Sequence, residues 1–426
     1  MIAKNISKPI AIVLGGTMPH IMLIEQLRQR GYYVILADYL DNPPAKQYAD
    51  EHIVISTLDK EAVLTLAKGR KASAVLCTCI DQANVTSSYV SEQLHLPHPY
   101  SYETALSVTD KRKMKEIMCS NNIPTSKYIE IRSFSEVNVA GMHFPLIIKP
   151  ADSNSANGVK KVQDLQELEE YLPFALKKSR NGYAIIEEFI EGVEISAYSY
   201  VSNAKAKLLM VQERLSVIDG DENVIKCYSS IAPARISAEQ MRQAEDILTQ
   251  IAMAFHLDNT PLFFQGIVSK DGISVIEFGA RVGGGISALT IKLATGFDII
   301  QSSIQSVLGE KVSMDSWHPM KEMFAVNQIY GKDGIFDHLE NVQELVDDGT
   351  IEAVKPLKNK GTVISECSAS LGRIAMLLFK GQDEQELRKK VRKTFAIIDA
   401  INENGESMIR RDLNFDNLWD IVPLLQ

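Results

Sequence analysis

A lysine closes an apolar run in Pro145-Leu146-Ile147-Ile148-Lys149-Pro150, and a small polar stretch follows before Gly158-Val159. Proline cannot donate to a strand ladder, so Pro150 ends the strand and leaves Lys149 facing a loop of N–H groups and hydroxyls. Such a loop can close over phosphate oxygens while an ammonium balances their charge. Taken alone, the same residues serve equally as a surface hairpin with an exposed lysine. A second stretch, Ala184-Ile185-Ile186-Glu187-Glu188-Phe189-Ile190-Glu191-Gly192-Val193-Glu194-Ile195, joins two β-like runs through a short acidic turn. A linker of this kind offers N–H and C=O groups edge-on, which suits an adenine ring. A carboxylate a few residues on can accept ribose hydroxyls. By itself it reads first as an ordinary acidic turn between strands.

A third stretch carries the strongest signal. Phe263-Phe264-Gln265-Gly266-Ile267-Val268 and the return run 273–278, which contains Glu277, flank Asp271-Gly272. An Asp-Gly pair between two apolar runs is a hairpin signal. Gln265 and Glu277, twelve residues apart, are therefore expected to face one another across its arms. Two oxygen donors from adjacent strands suit Mg²⁺, which keeps its waters and takes further ligands from phosphates. Gly279-Ala280-Arg281-Val282-Gly283-Gly284-Gly285 follows at once. Arg281 can hold a phosphate or a developing oxyanion with a permanent charge, and the glycines let backbone approach a ligand closely.

These groups need a scaffold, and the periodicity supplies one. Residues 10–108 alternate strand and helix, with strands at 10–14, 33–37 and 74–79 and a helix at 20–30 ended by Gly31. This βαβ rhythm implies a parallel sheet with right-handed crossovers. Gly15-Gly16-Thr17-Met18-Pro19 follows the first strand without the later glycine of a G-x-G-x-x-G fingerprint, although Asp38 mimics its ribose-binding acid. A scaffold or substrate-lining role is favoured over cofactor binding there. A helix is expected from Asp110 through Cys119, stopped by Asn121-Asn122-Ile123-Pro124. Residues 128–188 read as α+β, with strands at 146–149 and 184–188 and a helix at 165–176. The tail beyond 320 carries strands and one charged helix over 384–402, and Arg373 in LGRIAML opens a strand, where a packing role is favoured.

At 426 residues, with a prior of about 150 residues per domain, roughly three domains are expected. The net charge of −9 argues against nucleic acid or an anionic membrane as partner, and leaves room for a local basic pocket. The first apolar run is too short for a signal peptide, and no stretch nears the ~20 apolar residues of a membrane helix. A cytoplasmic protein is expected, and its 5 scattered cysteines are read as reduced and structural. The 8 histidines are scattered too, and His95 and His98 bracket Pro97 as a loop would. No Ser-His-Asp or Cys-His arrangement is visible.

Taken in order, these pieces resemble the ATP-grasp superfamily. The resemblance covers almost the whole chain. It rests on Thr109-Asp110-Lys111, KPADSNSANGV, EEFIEGVEIS and VIEFGARVGGG together, with L-amino-acid ligases and carbamoyl-phosphate-synthetase-like enzymes nearest by pattern. It implies an α/β fold with an α+β lid: a Rossmann-like domain at 1–108, a helix plus lid subdomain at 109–187, and a mixed-sheet core with a closing segment at 188–426. The implied activity is an ADP-forming carbon–nitrogen ligase that activates a carboxylate as an acyl phosphate and passes it to an amine. ATP and Mg²⁺, with Mn²⁺ as a substitute, are the implied cofactors. Small-molecule acids and amines are the implied partners, and related enzymes often dimerise.

The resemblance also assigns residues. Lys111 and Lys149 match the phosphate-contacting lysines, and Ser153, Ser155 and Gly158 the phosphate-covering loop. Glu187, Glu188 and Ile190 match the adenine hinge, Glu194 the ribose acid, Gln265 and Glu277 the Mg²⁺ ligands, and Arg281 the arginine stabilising the acyl phosphate or tetrahedral intermediate. Glu213, Arg235, Gly283 and Gly284 are candidate substrate contacts. Three positions depart from the pattern: Ser155-Ala156 replaces a Gly-Ser pair, Gln265 stands at an acidic position, and Gly279 stands where an E-x-N-x-R motif has asparagine. Rival readings are an enzyme using bicarbonate or ammonia, a nicotinamide-dependent oxidoreductase built around Gly15 and Asp38, and an ATP sensor without turnover.

Overall fold

The computed structural model describes residues 8–152, 158–219 and 224–418. The N-terminal unit alternates β1 (Ile10–Leu14), α1 (Met18–Gln29), β2 (Tyr33–Asp38), β3 (Glu51–Val54), α2 (Lys60–Arg70), β4 (Ala74–Cys77), α3 (Asp81–Gln93) and α4 (Tyr102–Ser107). Its strands are fully parallel in the order β3-β2-β1-β4. Both faces are covered, so the central strands are continuously apolar. Gly31 takes a left-handed conformation one residue past the cap of α1, as its position predicts.

Helix α5 (Lys111–Ser120) is capped by the Asp110 carboxylate on the Arg112 amide. Next come β5 (Tyr128–Ile131), β6 (Leu146–Pro150), β7 (Lys160–Val162), α6 (Leu165–Lys178) and β8 (Ala184–Glu188). The four strands form an antiparallel sheet, β5-β8-β6-β7. Leu146, Ile148, Leu168, Leu172 and Ile186 give this small layer a hydrophobic cluster of its own.

The large sheet carries the rest. After β9 (Val193–Ser202), β10 (Lys205–Asp219), β11 (Val224–Ala232) and α7 (Ala238–Ala254) come β12 (Thr260–Ser269), β13 (Gly272–Gly279), α8 (Ser287–Thr295), α9 (Ile299–Val307) and β14 (Met323–Tyr330). The closing segment adds β15 (Gly334–Glu340), α10 (Val342–Asp347), β16 (Ala353–Pro356), β17 (Thr362–Ile364), β18 (Arg373–Gly381), α11 (Glu384–Ile397) and β19 (Asp399–Asn402). Eight strands pair in the order β13-β12-β9-β10-β11-β14-β18-β16. The N-terminal unit is fastened to this core by shared packing: Val13, Leu23 and Leu27 lie in one cluster with Tyr200, Phe297 and Ile300.

Two expected elements are shorter than their sequence patterns: β4 stops at Cys77, before Cys79 with its φ of +52°, and the long charged helix also ends early. Helix α11 stops at Ile397, and residues of the expected helix beyond it form β19 against β15. The Arg411 guanidinium donates to the carbonyls of Phe395 and Ile398, satisfying the helix end. Ala400 and Ile401 then gain more from the sheet than from another turn.

Candidate active site

Strand register places the chemistry. The β12–β13 hairpin sets Gln265 directly opposite Glu277, with a bulge immediately after Gln265. On the other side of β12, Ser196 of β9 stands opposite Gln265 and Glu194 opposite Ile267. Gln212 of β10 is opposite Ser196. Side chains alternate along a strand, so Glu277, Gln265, Glu194, Gln212 and Arg214 share one face of the sheet. That face floors a cleft of about 1070 Å³ whose opposite wall is the small lid sheet and α5.

The lid contributes Lys149 from β6 and Glu187 from β8, and these strands pair side by side. Lys149 Nζ lies 2.6 Å from the Glu187 carboxylate, and Lys115 Nζ of α5 reaches the same oxygen at 3.0 Å. All three side chains are buried. Burial alone would raise the Glu187 carboxyl, but the two ammonium groups outweigh it and hold it at about 2. Burial lowers the Lys115 ammonium, with Glu187 opposing. Lys115 also donates to Thr125 Oγ1 at 2.7 Å and Ser126 Oγ at 2.9 Å. Lys111, at the first turn of α5, sits 3.3 Å from the Glu277 carboxylate.

Arg281 is anchored from the N-terminal unit. Its Nε and Nη2 donate to the two oxygens of Asp81 at 2.8 and 2.7 Å, and its Nη1 to the Val282 carbonyl at 3.0 Å. The guanidinium carbon lies 4.7 Å from the centre of the Phe263 ring. Burial opposes the Arg281 charge, and Asp81 more than restores it, so the guanidinium stays ionised. This arrangement explains Gly279. A Cβ there would lie 2.8 Å from the Phe263 ring and 3.3 Å from Asp81 Oδ1, so the groups that hold Arg281 take the space an asparagine would need.

Lys149, Glu277 and Arg281 thus share one cleft, together with Lys111, Glu187, Glu188, Ile190, Glu194, Gln265 and Gly284. Glu188 turns its carboxylate outward to the His143 amide and ring. Ser153 and Ser155 lie outside the described residues, and Gly158 does not line the cleft; its φ of +81° shapes a turn against Pro150.

Three candidate substrate contacts are not brought to the cleft. Glu213 and Arg235 bond to each other, with Arg235 Nε donating at 2.8 Å, and neither lines the cleft. The cause is strand parity: Gln212, Arg214, Ser216 and Ile218 face the cleft, so Glu213 faces away. Gly283 is a packing glycine, because a Cβ would come within 2.5 Å of the Tyr198 ring. Four residues not assigned to the site from sequence alone are part of it or support it: Lys115, Asp81, Arg214 and Arg373. Arg373, favoured for packing, opens β18 and lines the cleft. The alternation Gln212, Arg214, Ser216 against Val211, Leu215, Val217 is a sequence signal that could have found Arg214. The i, i+4 spacing from Lys111 could have found Lys115.

The N-terminal glycine turn does not resemble a dinucleotide site. Asp38 accepts from the amides of Gly16 at 2.6 Å and Leu40 at 2.8 Å, so its carboxylate is already engaged. A Cβ on Gly16 would lie 2.5 Å from Pro43, which packs against the turn.

The architecture, a small lid sheet set against a large sheet across one cleft, is the ATP-grasp fold. Residues 109–285 match the family described as phosphoribosylglycinamide synthetase, ATP-grasp (A) domain. The chain is 26% identical over 346 residues to a chloroplastic phosphoribosylamine–glycine ligase of Arabidopsis thaliana, covering 74% of this chain and 62% of that protein. It is 30% identical over 146 residues to a D-alanine–D-alanine ligase of Flavobacterium psychrophilum, covering 33% of this chain and 44% of that protein. Both alignments span less than two thirds of the relative's length. Among solved structures, an L-amino acid ligase from Bacillus licheniformis superposes with a TM-score of 0.78 at 20% identity, covering 93% of this chain and 99% of that one, a likeness of fold.

Proposed function

We propose that this chain is an ATP-dependent, ADP-forming carbon–nitrogen ligase that activates a carboxylate as an acyl phosphate and joins it to a small amine. The observation that carries the reading is that two lysines and a pair of side-chain oxygen donors line one cleft. Lys149 and Lys111 supply cations, and Gln265 and Glu277, in register on a hairpin, supply oxygen donors. Among the described residues no three acidic, histidine or cysteine side chains form a closed metal cage. A divalent ion at Gln265 and Glu277 would therefore complete its shell with phosphates and water, as Mg²⁺ does. The donor set fits that ion and a triphosphate.

When bound, Mg²⁺ would neutralise charge on the triphosphate. Lys149, steadied by Glu187, and Lys111 orient the phosphates, and the hinge at 187–190 holds adenine edge-on with Glu194 toward the ribose. A substrate carboxylate oxygen then attacks the γ-phosphorus, and ADP leaves. The amine attacks the resulting acyl phosphate, and inorganic phosphate leaves. Arg281 stabilises the negative charge that develops on the carbonyl oxygen, while the lid keeps water from the acyl phosphate. Positioning and electrostatics suffice, so no nucleophilic side chain is required. The division at 108 and 187 separates support, lid and floor. Small-molecule acid and amine substrates and a cytoplasmic setting complete the reading; among the described residues no helix is long and apolar enough to cross a membrane.

The test is phosphate release with a mixed amino-acid pool, with products identified by mass spectrometry. Glu277→Gln should remove turnover by a factor on the order of 10²–10³, the size seen when one stabilising group of a charged transition state is lost. Absence of phosphate release with every acid–amine pair would remove the ligase reading.

A further inference from the structure

Past the strands that face the nucleotide, the cleft continues over β10, β11, β14 and β18. Ile218, Val326 and Met376 make this half partly apolar, and Ser216 and Gln328 add neutral polar groups. Its ionised groups lean to one sign. Asp81 is consumed by Arg281, and Glu194 binds only the Nε of Arg214, at 2.6 Å. Among the described residues no acceptor bonds the terminal nitrogens of Arg214, although its side chain is only 29% exposed. Its charge is held up first by Glu194, and burial opposes it. Tyr198, stacked on Phe263, feels the charges of both Arg214 and Arg281. Arg373 adds a second cation to the same half, its Nε fixed by the Ala369 carbonyl at 3.1 Å.

A guanidinium bound only at Nε presents the rest of its fork as paired N–H groups, spaced for the two oxygens of a carboxylate. We propose that Arg214 is a specificity-determining residue that seats the unreacted carboxylate of an amine-bearing substrate, an amino acid held by its own carboxyl group. The proposal rests on the ligase reading and deepens it. Strand spacing separates this carboxylate from the one that is phosphorylated. Arg214 is two strands from Gln265, about 10 Å at roughly 4.8 Å per strand. An acid anchored there lies away from the γ-phosphate, and its amine can extend back toward Arg281. The apolar residues beyond Arg214 then face the side chain of the same substrate.

The experiment is calorimetric titration of the full chain loaded with MgADP. The probes are glycine, leucine and phenylalanine, each beside its α-carboxamide, with ethanolamine phosphate as a phosphate-bearing amine. At least one free acid should bind on the order of 10- to 100-fold more tightly than its amide, the value of a hydrogen-bonded charge. Arg214→Gln should bring that ratio close to one, and Arg214→Lys, which keeps the charge but not the fork, should leave it in between. An unfolding midpoint unchanged in both variants reports that they are folded, and MgADP is held at saturation for each. The proposal is overturned by a ratio that survives in Arg214→Gln, by the lack of any acid-over-amide preference, by tighter binding of the phosphate, or by loss of MgADP affinity as large as the loss for the acid. Phosphate release measured on the same samples separates the two readings. Arg214-dependent acid binding without turnover counts against the ligase and leaves the subsite standing.

Discussion

Replacing Glu187 by glutamine keeps the shape of the lid hinge and removes one charge from between two lysines. Glu187 and Lys115 are almost wholly closed to solvent, and Lys149 nearly so. Deleting one partner of a buried pair costs about 3–5 kcal/mol, because the other charge is left without compensation. The carboxyl itself gives a similar size. It falls from 4.5 to about 2, and at about 1.4 kcal/mol per unit this is roughly 3 kcal/mol. A carboxyl depressed in the folded state adds stability that is fully present above pH 4.5 and lost as pH falls toward 2. The assay is hydrogen exchange of the β6 and β8 amides followed by mass spectrometry, which reads the lid without requiring the whole chain to unfold in one step. Near neutral pH, Glu187→Gln should speed exchange there on the order of 100-fold. Adding Lys115→Met should recover part of the protection, since it removes one of the stranded charges. Raising the pH should help the single variant as well, because Lys115, already lowered by burial, sheds its proton. Unchanged exchange in Glu187→Gln, or a double variant no better than the single, refutes this account of the hinge.

Asp81→Asn offers Arg281 one acceptor oxygen in place of two, so kcat should fall on the order of 10- to 100-fold while MgADP binding, measured by calorimetry, is unchanged. His20 is fully buried beside the glycine turn, with Thr17 Oγ1 2.8 Å from its Nδ1, and burial lowers it from 6.5 to about 4. Its contribution is complete above pH 6.5 and is lost as pH falls through 4. His20→Leu should therefore flatten the decline of the unfolding free energy over that window, by about 1.4 kcal/mol per pH unit at most. An unaltered slope would remove His20 as the cause.

What the sequence made legible follows from the range of each signal. Gln265 facing Glu277 was readable because Asp271-Gly272 fixes the hairpin locally and side-chain alternation does the rest. The capped start of α5 was readable for the same reason. Arg214 gave a weaker signal, because Glu213 interrupts the apolar parity of Val211, Leu215 and Val217, and the choice between 213 and 214 then rests on which face of β10 α7 covers. The two residues have similar polarity, and a one-residue slip sends a side chain through the sheet. Asp81 is 200 residues from Arg281, and only the docking of the N-terminal unit on α9 brings them together. The end of α11 was missed because a charged amphipathic run keeps its helical pattern until a partner strand competes for it.

The ion pairs of the cleft bear on how a nucleotide can enter it. Lys111 and Glu277 come from different elements and satisfy each other at 3.3 Å, yet on the proposed reading one is meant for phosphate and the other for a metal ion. A triphosphate arriving alone would engage Lys111 and leave Glu277 facing added negative charge. A divalent ion arriving alone would engage Glu277 and leave Lys111 facing added positive charge. Each half-occupied state breaks an existing pair and creates a like-charge contact in a partly desolvated site, where both effects are amplified. The metal–nucleotide complex supplies the anion and the cation together and replaces one pair with two. The pair therefore selects for the complex over either component, and it does so through the same two side chains that would bind it.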